Sequence, residues 1–289
     1  MLTPLSENIS VFDLGATVVG VIRQPDGYIL TDSGLESGHA KKIADALDGM
    51  VTAVYHTHTH ADHTGGSLWL SGRHKSEIYA PAGELSFMYM TELEGGLLNG
   101  GSSPEAARKP FLMAPSVAAK PLPRHAFAIG DMIVTPVSTP GHSPDHTAFI
   151  TDDIAFLGDC LSAPEIISKH GILYLYDPGK AYETLNMLGI LNFSKAVICH
   201  KGVLEREEFD RYITAQKNHI ENIERLIYEY ADDNSAEDIT RLLMEKLKMR
   251  ASLELWLLAL STIKGYLSSM ERKKLLHTVF EKDIRWKTA

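Results

Sequence analysis

Thr57-His58-Thr59-His60-Ala61-Asp62-His63-Thr64-Gly65-Gly66 is the stretch on which the reading of this chain turns. It follows an apolar run, Val51 to Tyr55, with the composition of a buried strand. Residues two apart on extended backbone point to the same side. His58 and His60 can therefore reach one metal ion from the end of that strand. Asp62 and His63 come one turn later and can face a neighbouring position. Gly65-Gly66 is expected to turn the backbone tightly beneath the site, as glycine permits. Imidazole and carboxylate donors together suit zinc, and also iron or manganese.

Outward from this motif, the same arrangement recurs three times. Thr139-Pro140-Gly141-His142 follows the β-rich run Met132 to Ser138. Gly158-Asp159 follows Ile154 to Leu157, and His200, with Gly202 after it, follows Ala196 to Cys199. Four short apolar runs that each end in a metal donor are hard to explain as packing. Of 13 histidines only His219 and His277 lie beyond His200, so the imidazole chemistry belongs to the first two thirds of the chain.

This ordered set resembles the metallo-β-lactamase superfamily, over roughly residues 10 to 203. The resemblance implies an α/β (α+β) fold, a four-layer αββα sandwich of two facing β-sheets with helices outside. It implies two divalent metal ions, zinc first and iron or manganese as alternatives. His58, His60 and His142 would hold one metal. Asp62, His63 and His200 would hold the other, with Asp159 bridging. A hydroxide shared by two cations about 3.5–4 Å apart would be the nucleophile. Asp62 and Asp159 would be the catalytic carboxylates, Asp62 orienting the hydroxide or relaying a proton. No serine or cysteine nucleophile is then required.

Other residues near the motifs take lesser parts. His56 alternates with His58 but occupies an ordinary strand position in the family pattern, so it is read as a non-ligand. Ligating imidazoles usually donate their other N–H to a supporting acceptor, a part assigned to Asp32 or Asp145. His146, four after His142, is read as a supporting residue or pocket wall, not a ligand, and with His170, Tyr174 and Tyr176 it is a candidate to face substrate. Cys160 and Cys199 each adjoin an expected ligand and, as neighbours on extended chain, are expected to turn into the core.

The chain has 289 residues, 44% hydrophobic and 22% charged, with a formal net charge of −9. No apolar run approaches the roughly 18 to 20 residues of a membrane span, and Met1 to Leu14 does not read as a signal peptide. Two cysteines cannot make a disulfide framework, so the expected location is the cytoplasm. Two domains are expected: a catalytic unit over 1–204 and a helical unit over 205–289. Residues 82–125, with Gly95-Gly96, Gly100-Gly101 and five prolines, read as an insertion or lid. Ser235 and Asp238 have the spacing of a capping box opening a helix from Ala236 to Met249.

Charge separates the readings of function. Residues 1–200 hold 12 Lys and Arg against 21 Asp and Glu, whereas residues 246–289 hold 10 against 4. The first reading is a hydrolase similar to glyoxalase II, acting on a small-molecule thioester, ester or lactone. A sandwich followed by a helical region is also that enzyme's organisation. The alternative is a phosphodiesterase or ribonuclease of the same fold, with a winged-helix-like end whose basic residues 246–289 bind nucleic acid. The third reading is a metal-binding sensor without turnover. Homo-oligomerisation through the helical tail is left open.

Overall fold

The computed structural model describes residues 1–280 and 282–289. Its first sheet runs β1 (Leu2–Pro4), β2 (Ile9–Asp13), β3 (Val18–Gln24), β4 (Gly27–Thr31), β5 (Val51–Tyr55), β6 (Glu77–Ala80) and β7 (Lys120–Pro121), in spatial order. β1 to β4 pair antiparallel, and β4 to β7 pair parallel. Parallel neighbours need crossover connections. α1 (Ser37–Ala46) makes the first; α2 (Ala61–Thr64) and α3 (Ser67–His74) make the second. Between β6 and β7 lie two 3-10 turns and the short helices α4 (Leu85–Tyr89) and α5 (Glu92–Asn99).

The second sheet comprises β8 (Phe127–Ile129), β9 (Met132–Ser138), β10 (Thr147–Thr151), β11 (Ile154–Gly158), β12 (Lys195–Ile198) and β13 (Gly202–Glu205). β11 and β12 are parallel, joined through α6 (Pro164–His170) and α7 (Pro178–Ile190). Along β11 the side chains alternate. Ile154 and Phe156 join the cluster between the sheets, with Ile22, Ile29 and Phe149. Ala155 and Leu157 face the opposite way, towards Leu185 and Leu188 of α7. A strand buried on both faces, period two on each, places β11 between two apolar layers. A third cluster packs α1 and α3, through Ile43 and Leu70, on the outer face of the first sheet. The layers are therefore αββα, as expected.

Beyond β13 the chain is α8 (Arg206–Tyr230), α9 (Ala236–Lys246), α10 (Leu253–Arg272) and the hairpin of β14 (Leu276–Phe280) and β15 (Ile284–Thr288). Their apolar faces belong to the same cluster as α7 and β12. Ile223, Leu243 and Tyr266 share one core with Leu188 and Ile198. Ser235 and Asp238 form a reciprocal capping box at the start of α9. Sequence periodicity missed β1, β7, β8, β13 and β14, which are two to five residues long. Elements that short rest on their sheet partners and carry little pattern of their own. Among the described residues no helix is long and apolar enough to cross a membrane.

Candidate metal centre

The ends of β5, β9, β11 and β12 lie at one edge of the sandwich and carry the donors there. After β5 the chain bends at Thr57 and runs on to His60, which opens α2 with φ −60° and ψ 153°. That single turn of helix puts Asp62 and His63 behind the two preceding imidazoles. Gly65 and Gly66 are needed for a different reason from the one expected. Both have ordinary helical φ, −60° and −83°. A Cβ at Gly65 would stand 1.8 Å from the Leu35 carbonyl oxygen, and one at Gly66 2.4 Å from that of Ser33. The glycines let α2 and α3 press onto the backbone that follows β4; they do not supply a turn.

The donors fall into two sets. In the first, His58 Nε2 and His142 Nε2 each lie 2.9 Å from His60 Nδ1. Burial first, and neighbouring imidazoles second, hold His58 far below the ordinary histidine pKa; burial holds His60 at about 4 and also pulls His142 far down. All three rings are therefore neutral near pH 7. One hydrogen at most can lie on each contact, so lone pairs converge on a small volume, as a cation requires.

In the second set, His63 Nε2 lies 3.5 Å from Asp159 Oδ1 and 3.9 Å from Asp62 Oδ1. His200 Nε2 lies 3.2 Å from Asp159 Oδ2 and 3.5 Å from Asp62 Oδ2. Among the described residues His63 Nε2 and Asp159 Oδ1 are buried without hydrogen-bond partners, a costly arrangement unless something else binds them. Asp159, followed by burial, Cys199 and Asp62, sets the balance that raises His200 to about 11. Burial pulls His63 down, but Cys199, Asp32, Asp159 and Asp62 together hold it well above the ordinary value. The negative field that keeps protons on these rings would favour a divalent cation in their place. Asp159 Oδ2 is also 3.6 Å from His142 Nε2, so this carboxylate reaches both sets. The donor chemistry fits two metal ions.

A surrounding layer orients the donors. Asp32, buried and at φ 67°, accepts from the Thr57 backbone and hydroxyl at 2.9 Å each and from His63 Nδ1 at 2.8 Å. His56 closes the cluster, with Nδ1 3.3 Å from Asp32 and Nε2 2.7 Å from Ser67. His63 and His56 hold the Asp32 carboxyl below its usual range although burial alone would raise it. His58 Nδ1 lies 3.0 Å from the Thr57 hydroxyl, and His200 Nδ1 donates to the Ala16 carbonyl at 2.8 Å. Each of these rings thus presents its other nitrogen to the centre. Asp145, the second acceptor considered, instead takes the Gly83 N–H at 2.7 Å.

A cavity of about 430 Å³ opens over the donors. His170 and Tyr174 line it; Tyr176 and His146 do not. Tyr176 corrects the sequence reading, and of the two parts read for His146, support and pocket wall, the structure shows the first. His146 is fully buried, with Nδ1 2.8 Å from the Thr139 hydroxyl and Nε2 accepting the Asp159 N–H at 3.3 Å. It supports the β9 and β11 ends from beneath. Gly158, at φ +51°, leaves room for it, since a Cβ there would meet its Nε2 at 2.8 Å. Tyr176 is 40% exposed and contributes its backbone N–H to the His142 carbonyl. Tyr174 sets its ring 5.4 Å from His60 and 5.7 Å from His142, centroid to centroid.

Sequence reasoning missed three further residues. Glu84 is fully buried and accepts from the Thr59 N–H and hydroxyl, the Ser143 hydroxyl and the Asp145 N–H, at 2.6–3.0 Å. It ties the His58–His60 segment to the loop that carries His142. Glu94, on α5, lines the cavity, and burial with Asp62 and Glu84 nearby raises its carboxyl pKa. Cys199 was expected to turn away; its thiol lies within 4.8 Å of donor atoms of His63, Asp159 and His200. None of the three sits in a recurring pattern. Only Cys199, adjoining His200, left a local signal.

Known proteins agree with this architecture. The profile of the metallo-beta-lactamase superfamily matches residues 12–200. A hydroxyacylglutathione hydrolase of Methylobacillus flagellatus is 25% identical over 201 residues, 69% of this chain and 68% of that protein. One from Thiobacillus denitrificans is 27% identical over 185 residues, 61% of this chain and 57% of its own length. A beta-lactamase domain protein from Burkholderia ambifaria superposes with a TM-score of 0.76 at 18% identity, covering 100% of this chain and 93% of that one. A metallo-beta-lactamase family protein from Thermus thermophilus gives 0.74 at 15% identity, over 99% and 100%. These two structures share the whole fold, helical tail included. With the profile match spanning most of its length, the chain belongs to the metallo-beta-lactamase superfamily and is a metal-dependent hydrolase of that family.

Proposed function

We propose that the protein is a binuclear hydrolase of small-molecule thioesters, with esters and lactones as chemically related substrates. The observation that carries this reading is Asp159, which reaches His142 of one donor set and His63 and His200 of the other at the floor of a small-molecule-sized cavity. The proposed ligands are His58, His60 and His142 at one position and Asp62, His63 and His200 at the other, with Asp159 shared. Zinc is the metal proposed first. The relatives named hydroxyacylglutathione hydrolase support a thioester as the bond cleaved.

Two divalent cations bound there would supply a water acidified towards neutrality and a positive field for the carbonyl oxygen. The protein does the rest. Asp62, partly exposed to the cavity, accepts the proton of the attacking water. As the new C–O bond forms and the C–S bond breaks, Asp62 returns that proton to the departing sulfur. Water and thioester thus become carboxylic acid and thiol. Tyr174 packs on His60 and His142 and closes their side of the cavity to bulk water.

The nucleic-acid reading gains no support from the tail. Arg272, Lys273, Lys264 and Arg285 each pair with a carboxylate: Asp177, Glu224, Glu237 and Asp283 respectively. Beyond the proposed metal ligands, the cavity wall carries Glu84 and Glu94 against Lys169, the single lysine or arginine there among the described residues, so it offers few contacts to a phosphate chain outside the centre itself. The test is metal analysis of purified protein combined with thioester, lactone, β-lactam and phosphodiester substrates, with and without chelator. Two metals per chain and chelator-sensitive thioester cleavage are expected. Preference for the phosphodiester would overturn the substrate reading, and absence of all turnover after metal addition would favour a sensor.

A further inference from the structure

The walls of the cavity differ from side to side. Tyr174 adjoins His60 and His142 and packs with Leu98, Leu112 and Leu257 in one small apolar cluster. Around it the cavity is lined by Leu97 and Leu98 of α5, Phe111, and Leu255 and Leu258 of α10. Leu97 and Phe111 remain 41% and 51% exposed. They therefore present apolar surface that the protein's own packing does not cover. By contrast, Lys169 and His170 of α6 line the cavity on another side, where Glu165 of the same helix pairs at 3.5 Å with Lys201, the neighbour of His200. Lys169 and His170 thus lie on the His200 side, whereas α5 carries Glu94, a half-buried carboxyl without a hydrogen bond among the described residues.

We propose that the substrate carries a neutral apolar acyl group of medium length, aliphatic or aromatic, seated between α5, Phe111 and α10. This rests on the thioester reading and specifies its acyl half. An acetyl-sized group would leave the exposed faces of Leu97 and Phe111 wet. A carboxylate on the far end of the acyl group would find leucine and phenylalanine side chains and no lysine or arginine. The 82–125 segment, which supplies most of this wall, is then the specificity element, and α10, packed against it, completes the wall.

The experiment uses thioesters of one thiol, N-acetylcysteamine, with acetyl, butyryl, hexanoyl, octanoyl and adipoyl groups. A buried methylene contributes up to about four-fold, so kcat/KM should rise at least about tenfold from acetyl to octanoyl, chiefly through KM. Hexanoyl should exceed adipoyl, its carboxylate-ended counterpart of equal length, by a similar factor. Phe111→Ala should shrink the octanoyl-to-acetyl ratio, and Glu94→Lys should shift preference towards adipoyl. A flat series, or a preference for adipoyl in the wild type, would overturn the inference and leave the thioesterase reading standing. If no thioester is cleaved, that reading fails, and ligand-induced thermal shifts decide the inference. Stabilisation by octanoate beyond acetate and adipate, lost in Phe111→Ala, supports it; equal shifts refute it.

Discussion

Replacing Asp32 by Asn tests how the protein chooses the histidine tautomer at its centre. Asp32 Oδ1 receives the Thr57 N–H and faces His56 Nδ1; Oδ2 receives the Thr57 hydroxyl and His63 Nδ1. Whichever way an Asn side chain is turned, its NH₂ meets two of these groups. With the amide nitrogen at the Oδ2 position the Thr57 hydroxyl can rotate to accept. His63 can accept only by moving its proton from Nδ1 to Nε2, the nitrogen that now has no partner. That proton blocks coordination. Loss of such a supporting partner typically costs 10–100-fold in metal affinity, roughly 1.4–2.8 kcal/mol. The metal-free protein loses charge-assisted hydrogen bonds as well, worth about 2 kcal/mol. Competition with a chromophoric chelator measures the affinity, and urea unfolding of metal-free protein measures the stability. One of two metals should weaken, the one held with His63, while Asp145→Asn should leave both unchanged. Wild-type affinity for both metals in Asp32→Asn would refute the tautomer argument.

Other consequences follow from the same geometry. Asp159→Ala removes the shared carboxylate, so activity should vanish and the metal content should fall towards one per chain; full turnover with two metals would sink the assignment. Gly65→Ala forces a Cβ against the Leu35 carbonyl oxygen and should cost more than about 3 kcal/mol, read as a lower urea midpoint at unchanged m-value. His219 lies on α8 with Nε2 buried and unpartnered, and burial lowers its pKa to about 4. The unfolded chain protonates this ring first, so folding stability should fall as pH drops from about 6.5 to 4, by about 2 kcal/mol after allowance for its partial exposure. His219→Leu should remove that part of the pH dependence, as seen by comparing denaturation at pH 7 and pH 4. Ser235→Ala opens the capping box of α9 and should cost about 1 kcal/mol in the same assay.

Local sequence determined what depends on neighbours along the chain. The His58-to-His63 motif specifies its own convergence, because strand alternation and one helical turn suffice to aim those side chains. The strands that precede His142, Asp159 and His200 are apolar and β-rich for reasons visible within four to seven residues, and α8 to α10 announce themselves by helical spacing. The pattern of elements indicated a layered α/β or α+β fold, and the family resemblance alone implied the αββα layering. Tertiary structure decided what depends on residues far apart. Glu84 acquires its role only because Thr59 and the Ser143–Asp145 loop, each on a different sheet, meet it. Gly65 and Gly66 matter through the approach of Leu35 and Ser33, not through their own φ. His146, four residues after His142, turns under the site, a choice between support and pocket wall that the sequence left open, and Cys199 turns towards the donors. The cavity wall joins α5 to α10 across more than half the chain. Short-range rules of backbone geometry carry no information about such meetings, since they are settled by which apolar faces pack together once the chain has closed on itself.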